Sequence, residues 1–373
     1  MRILHILNNI RELGNGIINA SIDLACLQAK SGHEVAIASA GGEYEAILVQ
    51  YGVKHFHLHQ SRRPLNLIHA ARGYHRMIQS FQPEIVHAQM MTGVVLAWAL
   101  RKPFNYGLVS TVHNEFQRSA ILMGLADRVI AVSHAVKQSM QRRGIPIAKL
   151  RVVQNGTVGS PRHRVTGSPI PLCRPVIATV AGMYHRKGIS ELITAFEQIA
   201  PEFPEAHLYL IGDGPDRVTF ETQARSSSVS DHIHFEGFQP EPQRYLQSTD
   251  IFVLASHREP FGLVLSEARE MGCAIIASNV DGIPEAVDGG RAGILVPPAN
   301  SKALANAIVQ LLRSSDQLNA WKQRAQQNLE WLSVARVHRE TLKVYQELLE
   351  KREGEGRERS IGLGTGSQGL WKF

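Results

Sequence analysis

Short, largely apolar runs alternate along the chain with longer segments whose apolar residues recur every three or four positions. The first pattern predicts strands buried on both faces, and the second predicts helices packed by one side. Runs of the first kind are Ile3–Leu7, Val35–Ala38, Ile85–Ala88, Leu108–Val112 and Val129–Val132. Ile17–Lys30 is the first helical segment between them. A segment rich in Pro, Gly, Ser and Arg follows over 157–174 and reads as a linker. The alternation then resumes with strands Val176–Val180, His207–Ile211, Ile233–Phe235, Ile251–Ala255 and Ala274–Ala277. Apolar stripes predict three closing helices over Ser301–Leu312, Leu318–Trp331 and Arg336–Lys351. Strand–helix alternation of this kind predicts parallel sheets covered by helices, and 373 residues suffice for two such domains.

The stretch Ala255 to Glu285 organises the second half. Glu259-Pro260-Phe261-Gly262 breaks a buried strand, and a helix starts at once. Gly272 ends that helix, a second buried strand follows, and Asp281-Gly282-Ile283-Pro284 turns the chain. A helix start leaves unpaired N–H groups and a positive dipole end, which together attract phosphate. Glycine at 262 lets a ligand approach the backbone. Glu259 precedes the helix and Glu267 lies just over one turn inside it. Taken singly, either acid reads equally well as a capping device or as an acceptor for sugar hydroxyls. Gly282-Ile283-Pro284-Glu285 reads as structural, with proline at a helix start.

These residues carry a family resemblance. E-P-F-G-L-x-x-x-E, from Glu259 to Glu267, and the continuation E-A-x-x-x-G-C-A-I-I-A-S-x-V-x-G-I-P-E resemble the signature of retaining family-4 glycosyltransferases of GT-B fold. The resemblance runs from Met1 to about residue 350. It implies an α/β protein with two facing Rossmann-like, doubly wound domains and a cleft between them. Residues 1–157 would form the acceptor-binding domain and 158–330 the domain that binds a nucleotide sugar. The last helix, 331–351, would cross back onto the first domain. The tail 352–373, rich in Gly, Arg, Glu and Ser, reads as disordered.

The resemblance also implies roles. Glu267 would hold the ribose hydroxyls. The amides of Phe261, Gly262, Leu263 and Val264, with Arg186 and Lys187, would hold the diphosphate. Glu259 and His113 would contact the transferred sugar; His113 stands where a parallel sheet presents its carboxyl ends. Asn15 and Gly16 align with the Gly-Gly of the family's first loop, although a tight turn explains that loop equally well. Gly212 and Gly214 would permit close approach to the nucleotide. Met183 departs from the family, which commonly places arginine directly after the preceding glycine, and Arg186 would take over.

Composition narrows the setting without deciding the chemistry. Cys26, Cys173 and Cys273 are too dispersed for a metal-spaced cluster and suit a reducing, cytoplasmic compartment. No apolar run approaches the roughly 20 residues of a membrane span. Forty Lys+Arg against 33 Asp+Glu give a net charge of +7, which suits nucleotide sugars, acidic membranes or nucleic acid; the resemblance selects the first and assigns no nucleic acid. From Ala46 to Pro83 there is no acidic residue, and Lys54, Arg62, Arg63, Arg72 and Arg76 are basic. The helix expected at Leu65–Gln79 is either packed on the core with a solvated basic face or a surface for anionic lipid or a phosphorylated acceptor. The family often acts on lipid-linked or glycan acceptors at this side. His55, His57 and His59 alternate on one strand with no nearby carboxylate in sequence, so no metal site is expected there. No D-x-D pair occurs, so neither a metal nor another cofactor is expected at the diphosphate. Two other classes fit the architecture or the charge: a sugar-nucleotide epimerase or phosphorylase, and a non-catalytic basic protein that binds lipid or nucleic acid. The second would need none of Glu259, Glu267 or Lys187.

Overall fold

A computed structural model describes residues 1–60, 64–162 and 167–364 of the chain. Arg62 and Arg63 fall outside these. The first sheet contains β1 Arg2–Ile6, β2 Glu34–Ser39, β3 Lys54–His57, β4 Ile85–Ala88, β5 Gly107–Val112, β6 Arg128–Ala131 and β7 Leu150–Val152. The second contains β8 Val176–Val180, β9 His207–Ile211, β10 Ile233–Gly237, β11 Ile251–Leu254, β12 Ala274–Ser278 and β13 Ile294–Val296. The helices of the first half are α1 Gly16–Lys30, α2 Glu45–Gln50, α3 Pro64–Phe81, α4 Met91–Ala99 and α5 His134–Arg142. Those of the second are α6 Ile189–Ile199, α7 Arg217–Arg225, α8 Gln243–Leu246, α9 Leu263–Glu270, α10 Ile283–Ala286, α11 Ser301–Leu312, α12 Ser315–Ala325 and α13 Val334–Gly364.

Strand order is β3-β2-β1-β4-β5-β6-β7 in one sheet and β10-β9-β8-β11-β12-β13 in the other. Every pairing that builds them is parallel. The chain reverses direction across each sheet between β1 and β4 and between β8 and β11. Ligands of open α/β sheets bind in the crevice at the carboxyl ends beside such a reversal. The central strand β11 shows why its sequence is continuously apolar. Phe252 and Leu254 join one core layer while Ile251 and Val253 join the other, and all four are fully buried. Each such side chain contributes about 2 kcal/mol by leaving water.

The two halves are joined twice. Main chain crosses at Gly156–Val158 and again at Leu332–Val334. The crossings run side by side, with Val158 N donating to Leu332 O at 3.1 Å and Val334 N to Val158 O at 3.0 Å. A Cβ at Gly156 would stand 2.1 Å from Leu332 O, so only glycine fits there. α13 then packs on the first sheet, burying Val344, Tyr345 and Leu348 against Ile3, Ile85, Val109 and Ile130. It continues to Gly364, so 352–364 is helical where a disordered tail was expected; residues 365–373 lie outside the described part. The helix expected over Leu318–Trp331 is shorter. α12 ends at Ala325, and Asn328, at φ 61°, starts a separate 3-10 turn.

Candidate active site

The turn into α9 is built as the sequence implies. Gly262 sits at the helix N-cap with φ 85°, in the left-handed region that β-carbons disfavour. Phe261 is buried and anchors the turn in the core with Leu265 and Ala268. That anchor aims the first N–H groups of α9, which lack acceptors one turn earlier, toward the gap between the sheets. Glu259 is held just before the turn. Its N–H donates to Asp281 Oδ2 at 3.0 Å, and its carbonyl accepts from Gly282 N at 3.1 Å. Glu267 is buried inside the helix, with Gln243 Nε2 3.5 Å from its Oε2.

Arg186 and Lys187 lie on a 3-10 turn after β8 that Gly188 closes at φ 67°. A Cβ at Gly188 would meet Ala255 O at 2.0 Å, so the turn is pressed onto the end of β11. Lys187 Nζ therefore reaches Glu259 and forms an ion pair with it, largely screened from solvent. The Arg186 guanidinium lies 5.6 Å from the Phe116 ring and 5.5 Å from that of Tyr184. Met183 is fully buried in the core of the second domain. Packing alone requires the glycines after β9. Cβ atoms at Gly212 and Gly214 would meet Ala181 O at 2.0 Å and Met183 O at 2.5 Å. Close packing of two loops requires both glycines, whether or not a nucleotide is bound.

On the first domain, Asn15 caps α1 by accepting from Ile17 N at 3.0 Å. A Cβ at Gly16 would stand 3.1 Å from Leu263 Cδ1, so the start of α1 touches the start of α9. His113 extends from β5 and is half-buried. Burial among uncharged groups pushes its pKa down to about 4, so the ring is neutral near pH 7. Its Nε2 lies 3.0 Å from Oε1 of the buried Gln89.

His113, Glu259, Asn15, Gly16, Arg186, Lys187, Gly212, Phe261, Gly262, Leu263, Val264 and Glu267 all line one cleft of about 800 Å³ between the sheets. The sequence had no signal for three further wall residues. Arg162 reaches the cleft from the linker side and is paired to buried Asp23 at 2.8 Å. Tyr184 and Phe238 add aromatic surface.

Two family models cover nearly all of this architecture: "Glycosyltransferase Family 4" over residues 14–158 and "Glycosyl transferases group 1" over 166–328. The chain belongs to the family-4 glycosyltransferases of GT-B fold. Glycogen synthase of Mycobacterium tuberculosis is 27% identical over 299 residues, 72% of this chain and 69% of that one. N-acetyl-alpha-D-glucosaminyl L-malate synthase of Bacillus anthracis is 32% identical over 143 residues, 38% of this chain and 37% of that one. Anabaena HepE in complex with UDP superposes with a TM-score of 0.77 at 18% identity, covering 93% of this chain and all of that one. Sucrose-phosphate synthase of Thermosynechococcus elongatus does so with a TM-score of 0.79 at 20% identity, over 94% of this chain and all of that one.

Outside the cleft, the glycosyltransferase departs from expectation at β3. Glu45, from α2, brings a carboxylate to His55 and His57, with ligand atoms of the three within 4.8 Å of one another. Sequence distance hid it, because α2 folds back over the strand. On α3, Tyr74, Met77 and Ile78 are buried while Arg72, His75 and Arg76 face solvent, as in a helix packed on the core. A second cavity, of about 1060 Å³, lies at the other end of the first sheet. Three of its cations are engaged already, Arg101 with Asp127, Arg128 with Glu347, and Lys149 with two backbone carbonyls. Among the described residues, no helix is long and apolar enough to cross a membrane.

Proposed function

We propose that this glycosyltransferase moves a hexosyl-type sugar from a nucleoside-diphosphate donor to a glycan or lipid-linked acceptor with retention of anomeric configuration. The observation that carries the reading is the meeting of Lys187, Glu259 and the glycine-capped start of α9 in one cleft, with buried Glu267 beside them and His113 on the cleft's first-domain wall. The α9 amides, Lys187 and Arg186 hold the diphosphate, and Glu267 accepts from the ribose hydroxyls. Neutral His113 and Glu259 orient the sugar. As the bond from the anomeric carbon to the diphosphate oxygen breaks, negative charge grows on the diphosphate, where fixed donors and cations stabilise it most. The acceptor oxygen bonds to the anomeric carbon on the face the leaving group vacates. Its proton passes to a phosphate oxygen of the departing nucleoside diphosphate. The reading needs no metal at the diphosphate, because Arg186, Lys187 and the helix start supply the positive charge.

Anabaena HepE, of the same fold, has been solved with UDP-glucose, which supports a nucleotide sugar as donor. The acceptor would enter from the first domain, in the cytoplasm or against an anionic membrane surface under the basic face of α3. The test is calorimetry with a panel of nucleoside diphosphates and nucleotide sugars on the full chain and on Glu267→Ala. At least one donor should bind, and the substitution should weaken it by tenfold or more without altering the melting temperature of the free protein. Absence of binding across the panel, or equal affinity in the variant, would refute the assignment.

A further inference from the structure

The β2–α2 turn and strand β3 form a cluster that the transfer reaction does not use. His55 and His57 are two apart on one strand and share a face. Their rings meet edge to face, with centroids 4.9 Å apart. Glu45 opens α2 above them, and its Oε1 stands 3.8 Å from His55 Nδ1. Ser39 Oγ lies 2.9 Å from the other ring nitrogen of His55 and also accepts from Gly41 N at 3.1 Å. A partner on Nε2 fixes the ring and leaves Nδ1 directed at Glu45, which is how histidine ligands are commonly oriented.

The backbone keeps this space open. A Cβ at Gly41, where φ is 88°, would stand 2.7 Å from Glu45 Oε1 and 3.3 Å from His57 Cε1. Gly42 N points at the same carboxylate oxygen from 3.3 Å. Two imidazoles and one carboxylate would surround a divalent ion with ligand atoms about 3.4 Å apart in a tetrahedral zinc site. The ligand atoms of the three stand within 4.8 Å of one another.

We propose that Glu45, His55 and His57 form a binding site for a zinc-class divalent cation, with its remaining position left to water. The mixed nitrogen and oxygen donors suit zinc rather than calcium or magnesium. The site borders the cleft through its own turn. A Cβ at Gly42 would meet the Ile10 backbone at 2.5 Å, and Ile10 N donates to Gly41 O at 3.1 Å. Fixing this turn would stiffen the loop that leads to Glu12 and Leu13 on the cleft's first-domain wall.

The experiment is calorimetry of zinc chloride into the untagged, chelator-treated full chain, with visible absorption of the Co2+-loaded protein as a second readout. One equivalent should bind. Glu45→Gln and Ser39→Ala should each weaken it by about tenfold, and the double change His55→Ala, His57→Ala should abolish it and the Co2+ bands. A competing cluster on the second domain, where His207 Nδ1 lies 2.9 Å from His234 Nε2, provides the control. His207→Ala with His234→Ala should leave the equivalent in place. Loss of the equivalent in that control, or its survival in the His55, His57 variant with an unchanged apo melting curve, would overturn the proposal.

Discussion

His113 donates its Nε2–H to Oε1 of Gln89 across 3.0 Å, and the direction of that bond is fixed by residues far behind the cleft. Gln28 Oε1 accepts from His5 Nε2 at 2.7 Å, which leaves His5 Nδ1 as an acceptor for Gln89 Nε2 at 3.2 Å. The Gln89 carbonyl must then face His113. Tyr345, on α13, donates to His87 Nδ1 at 2.6 Å, and His87 Nε2 donates to Thr111 Oγ1 at 2.7 Å. His5 Nδ1 and His87 Nδ1 must both accept, so the network is satisfied only while those two rings stay neutral, and a proton on either nitrogen would set donor against donor.

The pH dependence of stability follows. Desolvation lowers the His5 pKa from its ordinary 6.5 to about 4, does the same to His113, and places His87 well below its usual value. The unfolded chain therefore binds protons between pH 6.5 and 4 that the folded chain refuses. Stability is complete above pH 6.5 and falls as the pH drops through this window. The loss is about 3 kcal/mol for His5. Urea titrations from pH 7.5 to 4 should show it. Removing one member with His5→Asn should flatten the slope; an equally steep profile would contradict the network.

Gln89 is then a positioning residue. Gln89→Leu keeps the volume but leaves His5 and His113 without their shared partner, a cost of about 1–3 kcal/mol. On the proposed transfer chemistry, kcat should fall by about 100-fold, the size of a lost orienting bond to a catalytic group, with little change in donor KM. The pH profile of kcat should also shift, because Nε2 of His113 is no longer committed as a donor. A change confined to melting temperature would reduce Gln89 to a structural role.

The α/β class was legible because β11, β12 and β8 are continuous apolar runs that only doubly covered strands need. The second-domain wall of the cleft was legible because Glu259, Gly262 and Glu267 lie within nine residues and are placed by local backbone. What sequence could not give depends on pairing across the fold. Glu45 reaches His55 only when α2 packs over β3, and Gln89 gains meaning only beside His5 and His113. Arg162 looked like linker composition until Asp23 was found beneath it. The packing reason for Gly212 was not legible, since the carbonyl of Ala181 that forbids a side chain there is 31 residues away.

Lys187 and Glu259 separate stability from catalysis. Lys187→Ala leaves a largely buried carboxylate unpaired, at a cost of about 3 kcal/mol. It should also cut turnover by two orders of magnitude or more if Lys187 serves the diphosphate. The double change Lys187→Met, Glu259→Gln removes both charges and should restore most of the melting temperature without restoring turnover. Parallel recovery of both would show that the lysine acts through folding alone.

Glu285 ties the two domains at a point chosen by helix electrostatics. Ser133 caps α5 from within its own domain, its Oγ accepting from Val136 N at 3.1 Å. Glu285, on α10 of the other domain, accepts from His134 N at 2.9 Å and Ala135 N at 3.1 Å, and also takes a bond from Gln154 Nε2. One carboxylate thus satisfies the first amides of α5 and meets its positive dipole end, where such a charge is worth about 1 kcal/mol. The same contact closes the gap beside Gly282, whose Cβ position is 3.0 Å from Ser133 Cβ. Glu285→Ala should lower stability by about 1–2 kcal/mol. Because the bond spans the domains, it should also speed proteolysis of the 157–174 connection, whereas Ser133→Ala should lower stability with little effect on cleavage. Identical digestion patterns for the two variants would show that Glu285 caps a helix without holding the domains together.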